Sequence, residues 1–421
     1  MQKLIEMMRV PEVRKRVAVT LGAILVFRVG CQLAAPGVDG HKMAELVSAH
    51  AGPLVGFLNL FSGGALERFS VFALGLQPYI NASIVLQLLT HVVPSLERLR
   101  KDDGKEGQET LKRWTRYGAV SIALVQAFGV CVLVEGLDRG RAPGLLTDHG
   151  AHFRLVAVLT LTAGAAFLMW LSERVTEHGV GNGASVLITV GIVARLPSAV
   201  AVAAQAFEVD RLAPAGCVKL TLLAAASLAL VALVVLVQDA VRKVPVQHAR
   251  RIERCTARAA TSSIPLKITQ GGVMPVIFAS SVMALAATLV PRLRESAHVY
   301  LGAEFVLIVA FAFFYAALEL DPRELAQRLR REGAFTPGVR AGAATARYLD
   351  RVLARVTLAG GVFLGLVALA PHALSGLFGG GLEAVGIGGT SLLIVVGVLS
   401  DAVRQVEAHA LTRQYHRVLR R

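Results

Sequence analysis

The 421-residue chain is 54% hydrophobic but only 17% charged, and it carries a net charge of +15. Charged residues make up about a quarter of an ordinary soluble domain, so this composition excludes a soluble globule and indicates an integral membrane protein. The basic excess leaves nucleic-acid binding and membrane topology both open, and the distribution of charge has to separate them.

The opening segment MQKLIEMMRVPEVRKRV is too charged, and too long before the first apolar run, for a cleaved signal. Residues 1–16 are therefore expected to be a cytoplasmic N-terminal tail. Apolar runs of about 20 residues between charged breaks then predict ten membrane-spanning helices. They lie near 17–35, 71–93, 118–136, 154–172, 180–196, 217–238, 271–291, 299–319, 356–375 and 386–403. Five fall in an N-terminal half (17–206) and five in a C-terminal half (207–403), and an odd number per half makes the halves inverted in the membrane. Residues 404–421 are expected to be a short cytoplasmic tail. In the second span the polar residues Gln77, Pro78, Asn81 and Gln87 sit where a simple anchor would have none. The run GVGNGAS (179–185) has the look of a phosphate loop but lacks a preceding strand and a lysine. Cys31, Cys131, Cys217 and Cys255 have no metal-like spacing, and structural disulfides are not expected.

Thirty-three of the 44 Lys and Arg fall before residue 17 or in 94–116, 173–183, 240–267, 321–355 and 404–421. These segments share one side of the predicted topology, so the excess follows the positive-inside bias and places both termini in the cytoplasm. Two of them, 240–267 and 321–355, are longer than a turn needs, which keeps a docking role open. A coupled transporter would need a titratable group near the midplane. Glu173, Asp239, Glu319 and Asp401 are expected at helix ends, and Arg28 is the deep charge, expected to be structurally paired or to snorkel to an interface. No Ser/His/Asp set, HExxH motif or intramembrane Asp pair appears, so the chain is not expected to be an enzyme or to hold a metal or cofactor. An uncharged route lined by aliphatic side chains suggests a passive conduit.

Five runs are more specific. FSGGALERFSVFALGLQPYINASIVLQLLT (61–90), LSERVTEHGVGNGASVLITVGIVARLP (171–197), IPLKITQGGVMPVIFASS (264–281), DPRELAQRLRREGAFTPGVRAG (321–342) and GGTSLLIVVGVLSDAVRQVEA (388–408) resemble the SecY family, the channel subunits of the bacterial Sec protein translocase. The resemblance implies an all-α polytopic membrane protein of ten helices in two inverted halves. The halves form a clamshell with a central hourglass pore and a re-entrant plug half-helix at about 54–66. Phe57, Leu58, Asn59, Leu60, Phe61, Ser62, Gly63 and Gly64 belong to that plug. The implied pore ring is Leu76, Ile80, Ala184, Ile188, Ile277 and Ile394, where Ala184 departs from the usual bulky aliphatic. The implied lateral gate is Asn81, Gln87, Gln126 and Thr269, with the amide and the hydroxyl on exchanged sides relative to the family's habit.

The resemblance further implies a protein-conducting channel that passes unfolded preproteins across the bacterial inner membrane and releases apolar segments into lipid. Arg250, Arg251 and Arg340 are the expected docking residues for the SecA motor and the ribosome. SecE, SecG, signal-sequence-bearing preproteins and membrane lipids are the other expected partners. The short segment PRLRESAHV and the short C-terminal tail depart from the family pattern. An accessory SecY homologue for selected substrates and a coupled small-solute transporter stay open as alternatives.

Overall fold

The computed structural model describes residues 11–50, 62–101, 104–140, 144–146, 150–206, 214–248, 261–269, 271–289, 297–340, 342–378 and 389–419. Its helices are α1 (Pro11–Gln32), α2 (Gly40–His50), α3 (Gln77–Val92), α4 (Pro94–Lys101), α5 (Gly104–Gly140), α6 (Ala151–His178), α7 (Gly183–Ala206) and α8 (Pro214–Asp239). Strands β1 (Val241–His248) and β2 (Thr261–Lys267) follow, then α9 (Met274–Leu289), α10 (Ala297–Glu319), α11 (Pro322–Arg331), β3 (Ala334–Phe335), α12 (Ala343–Phe378) and α13 (Gly389–Leu419). Each of the ten expected apolar runs overlaps one of these helices. Among the described residues, four stretches are long and apolar enough to cross a bilayer without help: Gly104–Gly136, Ala151–His178, His298–Arg331 and Ala343–Ala370. Helix α3 is shorter, at 16 residues, and its apolar run is broken by Gln77, Asn81 and Gln87.

The chain divides into two compact units, Met1–Ala203 with Ala384–Gly386 and Val398–Arg421, and Ala204–Glu383 with Ile387–Gly397. In the first unit α5 packs between α3 and α6. The segment between α2 and α3 returns along α1: the Ala35 N–H donates to the Phe69 carbonyl and the Val71 N–H to that of Leu33, both at 2.9 Å. Gly164 lets this segment meet α6 backbone to backbone, since a Cβ there would stand 2.0 Å from the Val71 carbonyl oxygen. Phe72 of the segment stacks between Phe27 and Phe167, and Trp170 continues the row.

A polar cap closes one end of this unit. Asp138 Oδ1 accepts from the amides of Gly144, Leu145 and Leu146 at 3.2, 2.9 and 3.3 Å, and Arg154 grips Glu135 through two bonds of 2.6 Å. Asp39 caps α2 by accepting from the amides of His41 and Lys42. The GVGNG run is a tight turn rather than an anion site, because its amides are already used. Val180 donates to Thr20 Oγ1, Gly181 to Gln405 Oε1, Gly183 to Thr176 Oγ1 and Ala184 to Asn182 Oδ1, which caps α7.

In the second unit α10 packs against α9 and α12 around Val276, Ala279, Ile308, Leu364 and Leu393. The helical expectation gains one addition here. The segments 240–267 and 321–355, expected as docking loops, fold together as a three-stranded antiparallel sheet of order β2-β1-β3 with α11 and the start of α12. Val244, Val246 and Leu266 alternate onto one face and bury against Leu329, Ala334 and Leu349, the period of two that a half-buried strand requires. The Ile268 N–H bonds the Ala240 carbonyl, and the register from that pair puts the nitrogens of Pro245 and Pro265 outside the shared ladder, where a missing donor costs nothing. Asp321 caps α11 by accepting from the Arg323 amide at 2.9 Å, with Pro322 in its first turn and Arg328, Arg330 and Arg331 in its last, the charge order that a helix dipole favours.

Candidate functional site

Four of the six pore-ring candidates lie in the first unit. Leu76 occupies the N-cap of α3 and Ile80 its first turn, both buried. Ala184 and Ile188 stand one turn apart at the start of α7, the first half-buried and the second fully buried. Positions i and i+4 share a helix face, so each helix start presents two small or aliphatic side chains together. Pro78 sits in the first turn of α3, where no intrahelical donor is needed. Beside it Gln77 is 7% exposed and its Oε1 has no hydrogen-bond partner among the described residues. In the second unit Ile277 lies in the first turn of α9 and Ile394 in α13, both buried.

The plug residues Phe57 to Phe61 lie outside the described residues. Its root, Ser62, Gly63 and Gly64, is described and tied to α1. Cys31 Sγ donates to the Ser62 carbonyl at 3.7 Å, and Arg28 Nη1 to the Gly63 carbonyl at 3.3 Å. The deep arginine is thus paired rather than stray. Gly63 and Gly64 take φ of +67 and +85, and a Cβ on Gly63 would come 2.9 Å from the Gly191 Cα, so this position needs glycine for both conformation and space. Just beyond the root, Glu67 pairs with Arg195 at 3.0 Å and Arg68 bonds Gln32.

The gate candidates fall in different places. Asn81 and Gln126 are half-buried on α3 and α5, and Gln87 Nε2 donates to Ser83 Oγ one turn back at 3.3 Å. Thr269 is buried ahead of α9, its carbonyl accepting from the Gly272 amide. Of the docking candidates, Arg250 and Arg251 lie outside the described residues. Arg340 is exposed on the turn after β3, and its carbonyl accepts from Thr345 Oγ1 at 2.8 Å.

The sequence gives no sign of an acid buried in the middle of a spanning run. Glu304 lies well inside α10, 6% exposed, on the face that also buries Ile308, Ala312 and Ala316. This corrects the expectation that the acids near spans sit at helix ends. Among the described residues no group of three His, Cys, Asp or Glu could hold a metal ion.

The family model of SecY matches residues 70–403. A protein named protein translocase subunit SecY from Mycobacterium tuberculosis (strain ATCC 25618 / H37Rv) is 37% identical over 99% of both chains. Among solved structures, a protein-conducting channel superposes with a TM-score of 0.64 at 17% identity, covering 94% of this chain and 92% of that one. Sec61 in a canine ribosome–channel complex from the endoplasmic reticulum gives 0.61 at 16% identity, with the same coverage.

Proposed function

Because the chain belongs to the SecY family, we propose that it is the channel-forming subunit of a protein translocase in a bacterial cytoplasmic membrane, with both termini in the cytoplasm. It is a multi-pass membrane protein and a conduit rather than an enzyme. The observation that carries the reading is the set of aliphatic side chains at helix starts. Leu76 caps α3, Ile80, Ile188 and Ile277 lie within the first two turns of α3, α7 and α9, and Ile394 within those of α13. Aliphatic residues around a narrow pore expel water and block ions, yet fit loosely around an extended chain of any sequence. Gly63 and Gly64 form the hinge of the plug, with Arg28 holding its root. Asn81, Gln87, Gln126 and Thr269 line the lateral gate, where a cross-helix hydrogen bond contributes roughly 0.6–2 kcal/mol, weak enough for a signal sequence to displace.

The sheet with α11 and the Arg340 turn, together with Arg250 and Arg251, forms the cytoplasmic docking surface for SecA or the ribosome; the match to a channel seen with a ribosome supports this. SecE and SecG complete the assembly. Reconstitution of the chain with SecE in vesicles, with SecA added outside, tests the reading. A preprotein should become protease-protected only with ATP, and correctly folded protein that never protects it would remove the channel assignment. Glu304 favours one other reading, a coupled small-solute transporter, in which Glu304→Gln would abolish ion-driven solute uptake. Protection of a preprotein by the Glu304→Gln chain decides against it. An accessory homologue for selected substrates would instead show protection of only some preproteins.

A further inference from the structure

Helix α9 begins on a two-glycine turn, and the turn is held from one side. Gly271 and Gly272 take φ of +74 and +58, conformations that glycine alone adopts freely. The Gly271 N–H donates to Glu319 Oε2, at the end of α10, at 2.7 Å. A Cβ on Gly271 would lie 2.9 Å from the Tyr315 Cβ, so α10 presses directly on the turn. On the strand side, Gly360 of α12 approaches the Ile268 carbonyl so closely that a Cβ would stand 2.2 Å from the oxygen. On the helix side, Phe278 packs on Tyr315 with ring centroids 5.1 Å apart. The strand end and the first turns of α9 are thus fixed by packing, while the glycine pair between them is held by backbone bonds, Gly272 N–H to the Thr269 carbonyl at 3.3 Å and Met274 N–H to the Gly271 carbonyl at 3.1 Å, and by the Glu319 carboxylate.

That carboxylate favours the arrangement in two ways. It makes a charge-assisted bond to an amide, and it sits just ahead of a helix start, where the dipole favours negative charge. Glu319 is exposed, so water competes for the bond and the latch can open. Two consecutive left-handed glycines are the kind of element that absorbs a large change in backbone angles while the helix beyond moves as a body.

We propose that Glu319 is a positioning residue for α9, its carboxylate latching the Gly271–Gly272 turn and setting how readily the helix pivots away from α10. The inference rests on the channel reading, in which α9 carries Ile277 of the constriction and follows Thr269 of the gate. A released latch makes the closed orientation of α9 easier to leave, so weaker signals suffice to open the gate.

The test uses the full chain with SecE in vesicles, as wild type, Glu319→Gln and Glu319→Leu. ATP-dependent protection by SecA is compared for one preprotein with an intact signal sequence and one with a defective signal. The defective-to-intact ratio should rise in the order wild type, Gln, Leu, reaching about two- to tenfold for Leu, the range expected of one partly solvated charged hydrogen bond. A second readout needs no transport: spin labels at Val282 on α9 and Val306 on α10 should show a broader distance distribution in Glu319→Leu than in wild type. An unchanged ratio with an unchanged distribution overturns the latch, as does an equal loss for both preproteins. If wild type protects neither preprotein, the channel reading fails by itself, and the spin-label distances still report whether Glu319 fixes α9.

Discussion

Gly164 and Gly129 both sit in apolar helices, yet they answer differently to one added methyl group. At Gly164 a Cβ would stand 2.0 Å from the Val71 carbonyl oxygen, whereas at Gly129 it would meet nothing within 4 Å. Gly164→Ala should therefore destabilise the folded chain by about 1–3 kcal/mol, read as a lower melting temperature in detergent. Gly129→Ala should leave it unchanged or raise it slightly, since alanine favours the helix. A second prediction belongs to Ala184. Its neighbour one turn on, Ile188, is fully buried while Ala184 is half-exposed, so Ala184→Ile adds apolar bulk where there is room. It should reduce the ion leak of a plug-deleted channel in planar bilayers, and an unchanged leak would detach Ala184 from the constriction. At this scale the motifs of the SecY family were legible in the sequence. Glu304 was not, because one carboxylate in a long apolar run does not break the run that marks a span.

The polar cap around Asp138 shows what an element gains from a single acceptor. Three amides converge on Asp138 Oδ1, and a hydrogen bond to a charged group contributes about 1.5–3 kcal/mol net of its exchange with water. Asp138→Asn should leave the helices intact while the amides of Leu145 and Leu146 exchange with solvent about tenfold faster or more, measured by hydrogen–deuterium exchange. Unchanged exchange would mean that the bridge between Val38 and Leu146 holds the cap by itself. Spacing gave no sign of this motif, since the partners are backbone amides contributed by a loop. The three-stranded sheet was hidden for another reason. Its strands VRKVPVQH and TSSIPLK alternate properly, but they flank an arginine-rich segment, and charge count outweighed period in reading 240–267 as a loop. Likewise α13 runs on to Leu419, where a polar sequence was expected to be tail, because a helix leaving the bilayer needs no apolar side chains to continue.

For the molecule as a whole, the apolar runs were legible because the thickness of a bilayer sets a minimum length for a spanning helix, a length that four stretches reach among the described residues. The orientation follows from charge and can be tested without transport. In a chain whose four native cysteines are replaced, Ser263→Cys on β2 and His152→Cys at the start of α6 introduce thiols at exposed positions on opposite sides of the predicted topology. A membrane-impermeant maleimide should label the first only after cells are opened and the second in intact cells. The reverse pattern would invert the chain and remove the cytoplasmic sheet from any contact with SecA or the ribosome.

The row of rings in the first unit has a use beyond packing. Phe27, Phe72 and Phe167 lie nearly parallel with centroids 6.3 and 5.9 Å apart, Trp170 follows at 5.6 Å from Phe167, and the Arg174 guanidinium covers the indole. The chain holds two tryptophans, so Trp114→Phe leaves the Trp170 indole as the sole long-wavelength emitter, at the end of a ring stack that reaches into the segment leading to α3. Its emission colour and lifetime would then follow movement of that segment in real time, giving an intrinsic optical probe that needs no attached dye.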